Sequence, residues 1–469
     1  MAAMKIKFVG AARQVTGSCY YLEIRGTRLL VDCGLHQERE HLGRNWDRFP
    51  FDPRRLDAVI LTHVHLDHSG LLPRLVREGF SGPIIATPAT RELLPIILLD
   101  SAHIQEEDAA FKKKRHAREG RQGPYPEIPL YTTSDAEQVF PLVTPVAYGQ
   151  EWPLGDGCAV KLHDAGHILG SAMAEIVWRE NGDERRIIFS GDIGQRGKPF
   201  VRDPSVFTQS DYIVMESTYG DREHDDPRAV DDMLAEAVNR TLRRGGNLVI
   251  PTFAMERAQD LLYYLSRLTA EQRVPPLLAF LDSPMAVEIT DVFEKHREFM
   301  DKETQALFRS GQQPLRFPGL QLVRTTEESK AINTLRRACL IMAGSGMCTG
   351  GRIKHHLVHN IVRPESTILF VGYQAQGTLG RLIADGRSPV RIHGEVYPVR
   401  AEVQQIQGFS AHAGRQGLLR WVGNFQEPPR RLFLVHGDPD VSEGLGDLIR
   451  EGRRWPVAVP GYLQDWSLD

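Results

Sequence analysis

Apolar and polar positions alternate in short runs over residues 5–35: KIKFVG, SCYYLEI and RLLVDCG, with Arg25-Gly26-Thr27 between the last two. Short apolar runs bounded by turn residues predict strands, so this region reads as a β-meander with a tight turn at Arg25-Gly26-Thr27. LDAVIL (56–61) then predicts a buried strand, and SGLLPRLVREGF predicts a helix with Ser69 as its N-cap. Ile84-Ile85-Ala86 predicts another strand, and residues 89–122 a long helix. Strands return near 158–163 and over Ile187-Ile188-Phe189. From 226 to 395 helical patterns (DDMLAEAVNRTLRRGG, RAQDLLYYLSRL) interleave with strand patterns (NLVIPTF, PPLLAFLDSP, ACLIMAGSG, STILFVGY). Strands alternating with helices of this length predict a parallel α/β domain.

Against that pattern, residues of ligand type recur in one place, the loop just after a predicted strand. Asp32 ends the third run, His167 follows the strand near 158–163, and Asp192 follows IIF. The densest instance is THVHLDH (62–68), with three imidazoles and a carboxylate at His63, His65, Asp67 and His68. In an extended segment alternate residues face one way, so His63, His65 and Asp67 share a side and a turn brings His68 beside them. Imidazole nitrogen and carboxylate oxygen are the donors of catalytic zinc and related divalent sites. The plain alternative is a polar loop, but 17 His in 469 residues make this density improbable by chance. Asp32, on a strand expected beside the one leading to His63, is expected to orient a ligand or hold metal-bound water; otherwise it caps a turn. The four places are expected to share one edge of a layered sheet, where loops are free to carry function.

Composition narrows the class. A chain of 469 residues, 41% hydrophobic and 25% charged, predicts two or three globular domains. The start, MAAMKIKFVGAARQ, lacks an apolar core and a cleavage pattern, and no apolar run approaches membrane-spanning length. Five cysteines (Cys19, Cys33, Cys158, Cys339 and Cys348) without CxxC spacing predict reduced thiols and a cytoplasmic location. A net charge of −3 argues against whole-surface binding of nucleic acid and leaves room for a local basic groove. Only 11 of the 57 basic residues are lysine, a bias attributed to codon usage. The cluster Lys112 to Arg115 with Arg118 and Arg121 reads as a solvated helix face, with nucleic-acid contact as the alternative.

DCG, THVHLDHSG, HDAGHILGS and FSGDIG, in this order, resemble the signature of the metallo-β-lactamase fold, an αββα sandwich hydrolase. IVMESTYGDREH (213–224) resembles the start of the β-CASP insertion, with Glu216 at its acidic motif. IPTFAMERAQ, LDSPMA, AGSGMCTGGR and GYQAQGTLGR resemble further β-CASP segments, and GFSAHA and FLVHGDP put His412 and His436 at two C-terminal histidine motifs. The resemblance implies an α/β chain in which a parallel α/β β-CASP domain (213–395) is inserted into a metallo-β-lactamase domain (1–212 and 396–469). No extra RNA-binding domain is expected at either end.

The resemblance also implies two zinc ions per chain, with manganese as the alternative metal. One would take His63, His65 and His167, the other Asp67, His68 and His436, with Asp192 bridging and a hydroxide between. Asp32, Asp67, Glu216 and His412 form the expected catalytic group, His412 donating a proton to the leaving oxygen with Glu216 hydrogen-bonded to it. The glycine-rich 343–352 segment is expected to meet phosphate oxygens through free backbone N–H groups, with Ser283, Ser345, Gly346, Met347 and Arg352 as substrate contacts. Glycine clusters at strand ends are otherwise turns, and His412 or His436 alone would read as ordinary loop histidines.

The implied activity is hydrolysis of single-stranded RNA to 5′-phosphate and 3′-hydroxyl ends, endonucleolytic and compatible with 5′–3′ exonucleolytic action. A homodimer is compatible with this reading, and no membrane partner is expected. The family's DNA-directed members tend to carry valine at the last motif, where this chain has His436. Hydrolysis of a small thioester or lactone is the third reading, disfavoured by the large insertion. A catalytically dead scaffold is the fourth, disfavoured because every ligand position is filled.

Overall fold

The computed structural model describes residues 4–120, 123–155, 157–180, 182–223 and 227–468; Arg121 and His224, named above, lie outside the described residues. The chain divides into two compact units, one of Met1–Gly197, Arg202–Glu223 and Ala411–Asp469, the other of Lys198–Val201 and His224–Ser410.

The first unit holds two seven-stranded sheets. In one, β1 (Lys5–Phe8), β2 (Tyr20–Ile24), β3 (Thr27–Val31), β4 (Ala58–Ile60), β5 (Ile84–Ala86) and β6 (Val143–Pro145) lie in sequence order, with Asp465–Ser467 outside β1. Arg25 (φ 52°) and Gly26 (φ 92°) make the turn between β2 and β3, a conformation that matches the twist of a two-residue hairpin. In the other, β7 (Glu151–Gly155), β8 (Cys158–Asp164), β9 (Ala172–Glu180), β10 (Asp183–Phe189) and β11 (Tyr212–Glu216) run in order, followed by Arg431–Val435 and Val457–Ala458.

Alternation decides what faces what. Leu29, Val31, Ile60 and Ile85 of the first sheet meet Val160, Leu162, Ile176, Ile187, Phe189, Val214 and Phe433 of the second in one core between the sheets. Ile188, Ile213, Met215, Leu432 and Leu434, on the opposite face, are covered by Leu418, Trp421 and Val422 of helix Arg415–Val422 and by Leu445 and Ile449 of helix Pro439–Arg453. The sandwich therefore buries both faces of its second sheet. Trp178 on β9 is fully buried in the inter-sheet core. Trp178→Ala should destabilise the protein by about 3–5 kcal/mol, read as a lowered denaturant midpoint, because transfer and cavity terms add.

The second unit is built on a six-stranded parallel sheet. Its β12 (Leu248–Pro251), β13 (Ala279–Asp282), β14 (Leu320–Leu322), β15 (Leu340–Ala343) and β16 (Thr367–Phe370) lie in the order β14-β13-β15-β12-β16, with Glu402–Gln405 at the far edge. Helices Arg257–Ala270, Pro284–Lys295 and Ile353–Asn360 connect the strands, as the alternating pattern predicts.

The units part at 223/224 and 410/411 rather than at 212/213 and 395/396. The reason is strand pairing: β11 is laid down in parallel between β10 and Arg431–Val435, whereas Glu402–Gln405 pairs with β16. On the helix Pro88–Glu119 the described basic residues Lys112, Lys113, Lys114, Arg115 and Arg118 are exposed. Lys112 and Arg115 pair with Asp108 (3.8 Å) and Glu119 (2.8 Å) along the helix. All five cysteines are buried and free. No helix among the described residues is long and apolar enough to cross a membrane.

Candidate metal centre

Six strand ends converge on one site in the first unit. Asp32 follows β3 and the THVHLDH segment follows β4, and these two strands are parallel neighbours. His167 follows β8, Asp192 follows β10, Glu216 ends β11 and His436 follows Arg431–Val435. The ligand-type residues thus come from two facing sheets, not from one sheet edge. The sandwich brings the carboxyl ends of both sheets together.

The THVHLDH segment is not extended throughout. It leaves β4 as a loop and closes at Leu66 into a helical turn, α1 (Leu66–Ser69), held by His68 N to His65 O and Ser69 N to His65 O, each 2.9 Å. Asp67 and His68 therefore project from a helical turn, which separates them from His63 and His65. Ser69 does not cap the next helix, α2 (Leu72–Arg77); its hydroxyl donates to Val64 O at 2.8 Å.

Two donor sets result. His63 Nε2, His65 Nδ1 and His167 Nε2 surround one point, with His63–His65 and His167–His65 separations of 3.1 and 3.3 Å. Asp192 Oδ2 completes the set at 3.4 Å from both His63 Nε2 and His167 Nε2. In the second set His68 Nε2 and His436 Nε2 are 3.1 Å apart, and Asp67 Oδ2 lies 3.3 Å from His436 Nε2. Asp192 Oδ1 lies 3.3 Å from His68 Nε2 and 3.6 Å from His436 Nε2. A tetrahedron with metal–ligand bonds of about 2.1 Å has edges of about 3.4 Å, which these separations match. The residues fit a divalent cation in each set, with one oxygen of Asp192 directed to each.

The protons are arranged to leave those lone pairs free. His68 Nδ1 donates to Asp32 Oδ2 at 2.7 Å, so its Nε2 is the free nitrogen. His63 Nδ1 lies 3.1 Å from Thr62 Oγ1, whose own hydrogen goes to Asp32 Oδ2 at 2.8 Å, while Thr62 N donates to Asp32 Oδ1 at 2.8 Å. One buried carboxylate thereby sets the tautomers of a histidine in each donor set. On the far side His436 Nδ1 meets Thr218 Oγ1 at 2.9 Å. Metal-ligating histidines almost always have such an anchor on the other nitrogen; His167 Nδ1, buried without a partner among the described residues, is an exception here. Asp32→Asn should weaken metal binding about 10- to 100-fold, measured by competition with a chromophoric chelator.

Charge follows the same division. Burial, then the neighbouring histidine His63, pushes His65 down to about 3, and burial holds His63 and His167 low as well, so all three present neutral imidazoles. Around His68 and His436 burial also works against the charged form, but nearby carboxylates, Asp192 foremost, outweigh it and raise both. That surplus of carboxylate charge is what a bound cation would neutralise in place of protons on these two rings.

His412 stands beside the two sets. Its Nδ1 donates to Glu216 Oε2 at 3.0 Å, its Nε2 lies 3.8 Å from Asp192 Oδ2, and its side chain is 20% exposed. Burial opposes its charge, but Glu216 and then Asp192 lift it to about 9, so it is an imidazolium at neutral pH. Glu216 is fixed in turn by Ile193 N, and its own N–H donates to Ser190 Oγ at 3.0 Å.

Several positioning residues escaped the sequence reading. Thr62 and Thr218 are among them, and so are two glycines. At Gly34 a Cβ would lie 1.7 Å from Asp67 O, and at Gly194 1.8 Å from Gly166 O, so only glycine lets these loops close on Asp67 and on the His167 turn. A signal existed: each glycine stands two residues after a site aspartate, in Asp32-Cys33-Gly34 and Asp192-Ile193-Gly194. Asp32 (φ 58°) and His436 (φ 51°) both occupy the left-handed region, held there by Asp32 N to Ile60 O (2.9 Å) and His436 N to Ala11 O (2.8 Å). Such backbone costs about 1–2 kcal/mol and collects at functional sites.

The residues expected at the substrate are in the second unit, and most are committed elsewhere. Ser283 Oγ caps helix Pro284–Lys295 by accepting from Ala286 N at 3.3 Å. Ser345 Oγ accepts from Thr349 N (3.0 Å) and Gly350 N (3.2 Å), while Cys348 N donates to Ser345 O. Met347 O accepts from Gly380 N at 3.0 Å. The N–H groups of Cys348, Thr349 and Gly350 are thus spent inside the loop, because the chain turns back on itself. The Arg352 guanidinium is tied to Asp282 Oδ1 at 2.7 Å and to Arg324 O at 3.0 Å. Gly346 lies under the ring of Phe253, where a Cβ would be 2.7 Å from Phe253 Cδ2.

Two facing sheets with this donor set at their shared edge define a protein of the metallo-β-lactamase class. The profile described as metallo-beta-lactamase superfamily matches residues 12–250, that of the Beta-Casp domain 258–383, and that of a Zn-dependent metallo-hydrolase RNA specificity domain 396–460. The chain is 41% identical to a protein named Ribonuclease TTHA0252 from Thermus thermophilus, over 95% of this chain and 96% of that one. It is 31% identical to a protein named Transcription termination factor FttA from Methanocaldococcus jannaschii, over 98% of this chain and 71% of that one. A solved structure of a protein of unknown function from Enterococcus faecalis superposes with a TM-score of 0.57 at 12% identity over the full length of both chains, a likeness of fold alone. The chain belongs to the β-CASP family of the metallo-β-lactamase superfamily.

Proposed function

We propose that the protein is a metal-dependent ribonuclease that hydrolyses phosphodiester bonds of single-stranded RNA through two zinc ions, leaving 5′-phosphate and 3′-hydroxyl ends. The observation that carries this reading is Asp192, whose two oxygens each face a separate imidazole-rich donor set, with the His412–Glu216 pair alongside. Relatives named as a ribonuclease and as a termination factor, and a matching profile described as an RNA specificity domain, supply the polymer. Two zinc ions held by these sets would supply Lewis acidity and a depression of water's pKa to about 7.

The chain's own residues then account for the rest. Hydrolysis joins a water oxygen to phosphorus and breaks the bond from phosphorus to the 3′ oxygen, which must leave with a proton. His412 Nε2 carries that proton, because Nδ1 is engaged with Glu216 and the ring is charged at neutral pH. Asp32 and Thr218 hold His68 and His436 so that the donor atoms need no rearrangement.

The test is RNA labelled at either end, incubated with the purified protein beside DNA of the same sequence and a His65→Ala variant. Chelator-sensitive loss of the RNA alone, absent in the variant, is the expected result, and internal fragments in the ladder mark endonucleolytic cuts. Intact RNA at full metal occupancy would refute the proposal.

A further inference from the structure

Two large rings stand exposed in the second unit, Phe253 (44% exposed) after β12 and Tyr373 (59% exposed) after β16. The two strands are hydrogen-bonded parallel neighbours, through Leu248 with Thr367 and Val249 with Ile368. Adjacent strands lie about 4.8 Å apart, so loops leaving their carboxyl ends share one patch. The carboxyl edge of a parallel sheet is where open α/β domains bind their ligands.

The patch is built rigidly. The Phe253 ring lies against Gly346 of the loop after β15, a place no side chain could occupy. Gln374, next to Tyr373 and buried, donates from Nε2 to Gly346 O at 3.0 Å. Three loops, after β12, β15 and β16, are thus pinned at one glycine. Rings exposed singly on a surface are common, but two on neighbouring loops that are pinned at one glycine are not explained by the core.

Flat rings held open to solvent match one chemistry above others, stacking of unpaired bases. We propose that Phe253 and Tyr373 form a base-stacking platform that holds single-stranded RNA, a proposal that rests on the ribonuclease reading for the identity of its polymer. The platform tolerates any base sequence, since every base has a π-face, and excludes duplexes, whose bases are already stacked.

The experiment is binding of an RNA oligomer carrying 2-aminopurine, whose fluorescence is quenched on stacking, with cleavage followed separately in the same samples. Wild-type protein should bind with quenching, and Phe253→Leu with Tyr373→Leu should weaken binding about 5- to 150-fold per ring and abolish the quench. Tyr373→Phe, which keeps the ring, should restore both. Unchanged affinity and quench in the double leucine variant would overturn the platform, as would absence of RNA binding by the wild type. Intact binding and quench without cleavage would leave the platform standing and remove the ribonuclease reading.

Discussion

Asp192→Asn is expected to lower bound metal from two ions per chain to one or none and to slow RNA hydrolysis by about 10³-fold or more. The residue is 2% exposed, and its oxygens lie 3.3–3.6 Å from nitrogens of both donor sets. An amide keeps the shape, so the fold should be undisturbed, but it removes the negative charge that two cations would share. Its NH₂ end would also aim hydrogens at one of the two sets, where a lone pair is required. A loss of several kcal/mol of charge stabilisation corresponds to three or more powers of ten in rate. Metal content by mass spectrometry and single-turnover cleavage measure the two effects separately. Two ions still bound at the wild-type affinity would remove Asp192 as a bridge.

His412→Ala should separate the proton from the metal. Cleavage of RNA is expected to fall by about 10²–10⁴-fold while metal content stays at the wild-type level. His412 is in neither donor set: its Nε2 lies 3.8 Å from Asp192 Oδ2 and its Nδ1 is held by Glu216 at 3.0 Å. A phosphodiester that releases 4-nitrophenolate needs no proton on its leaving oxygen. The variant should hydrolyse that substrate at close to the wild-type rate. Equal losses on both substrates would mean that His412 positions the phosphate and does not protonate the leaving group.

Much of this site was legible along the chain because the chemistry is concentrated after strands. A buried strand announces itself by an apolar run, and THVHLDH, HDAGH and GDIG each follow one, so His63, His65, His68, His167 and Asp192 stand out by type and place. The parallel α/β unit was equally readable from its alternating helical and strand patterns, which depend on local periodicity. The unit borders were less so, because β11 and Glu402–Gln405 are strands in either reading, and only their hydrogen-bonding partners assign them.

What the amino-acid sequence determined by itself was therefore local: which segments are strands, which residues carry lone pairs, and that those residues sit in loops. The tertiary structure decided which atoms meet. Pairing His436 with His68 closes 368 positions of chain, and joining His412 to Glu216 closes 196. No periodicity encodes such contacts, since they arise only when two sheets bury their common core and bring their carboxyl ends to one edge. The same long-range packing gave Asp32 its two histidines, His68 directly and His63 through Thr62, and left Phe253 and Tyr373 exposed.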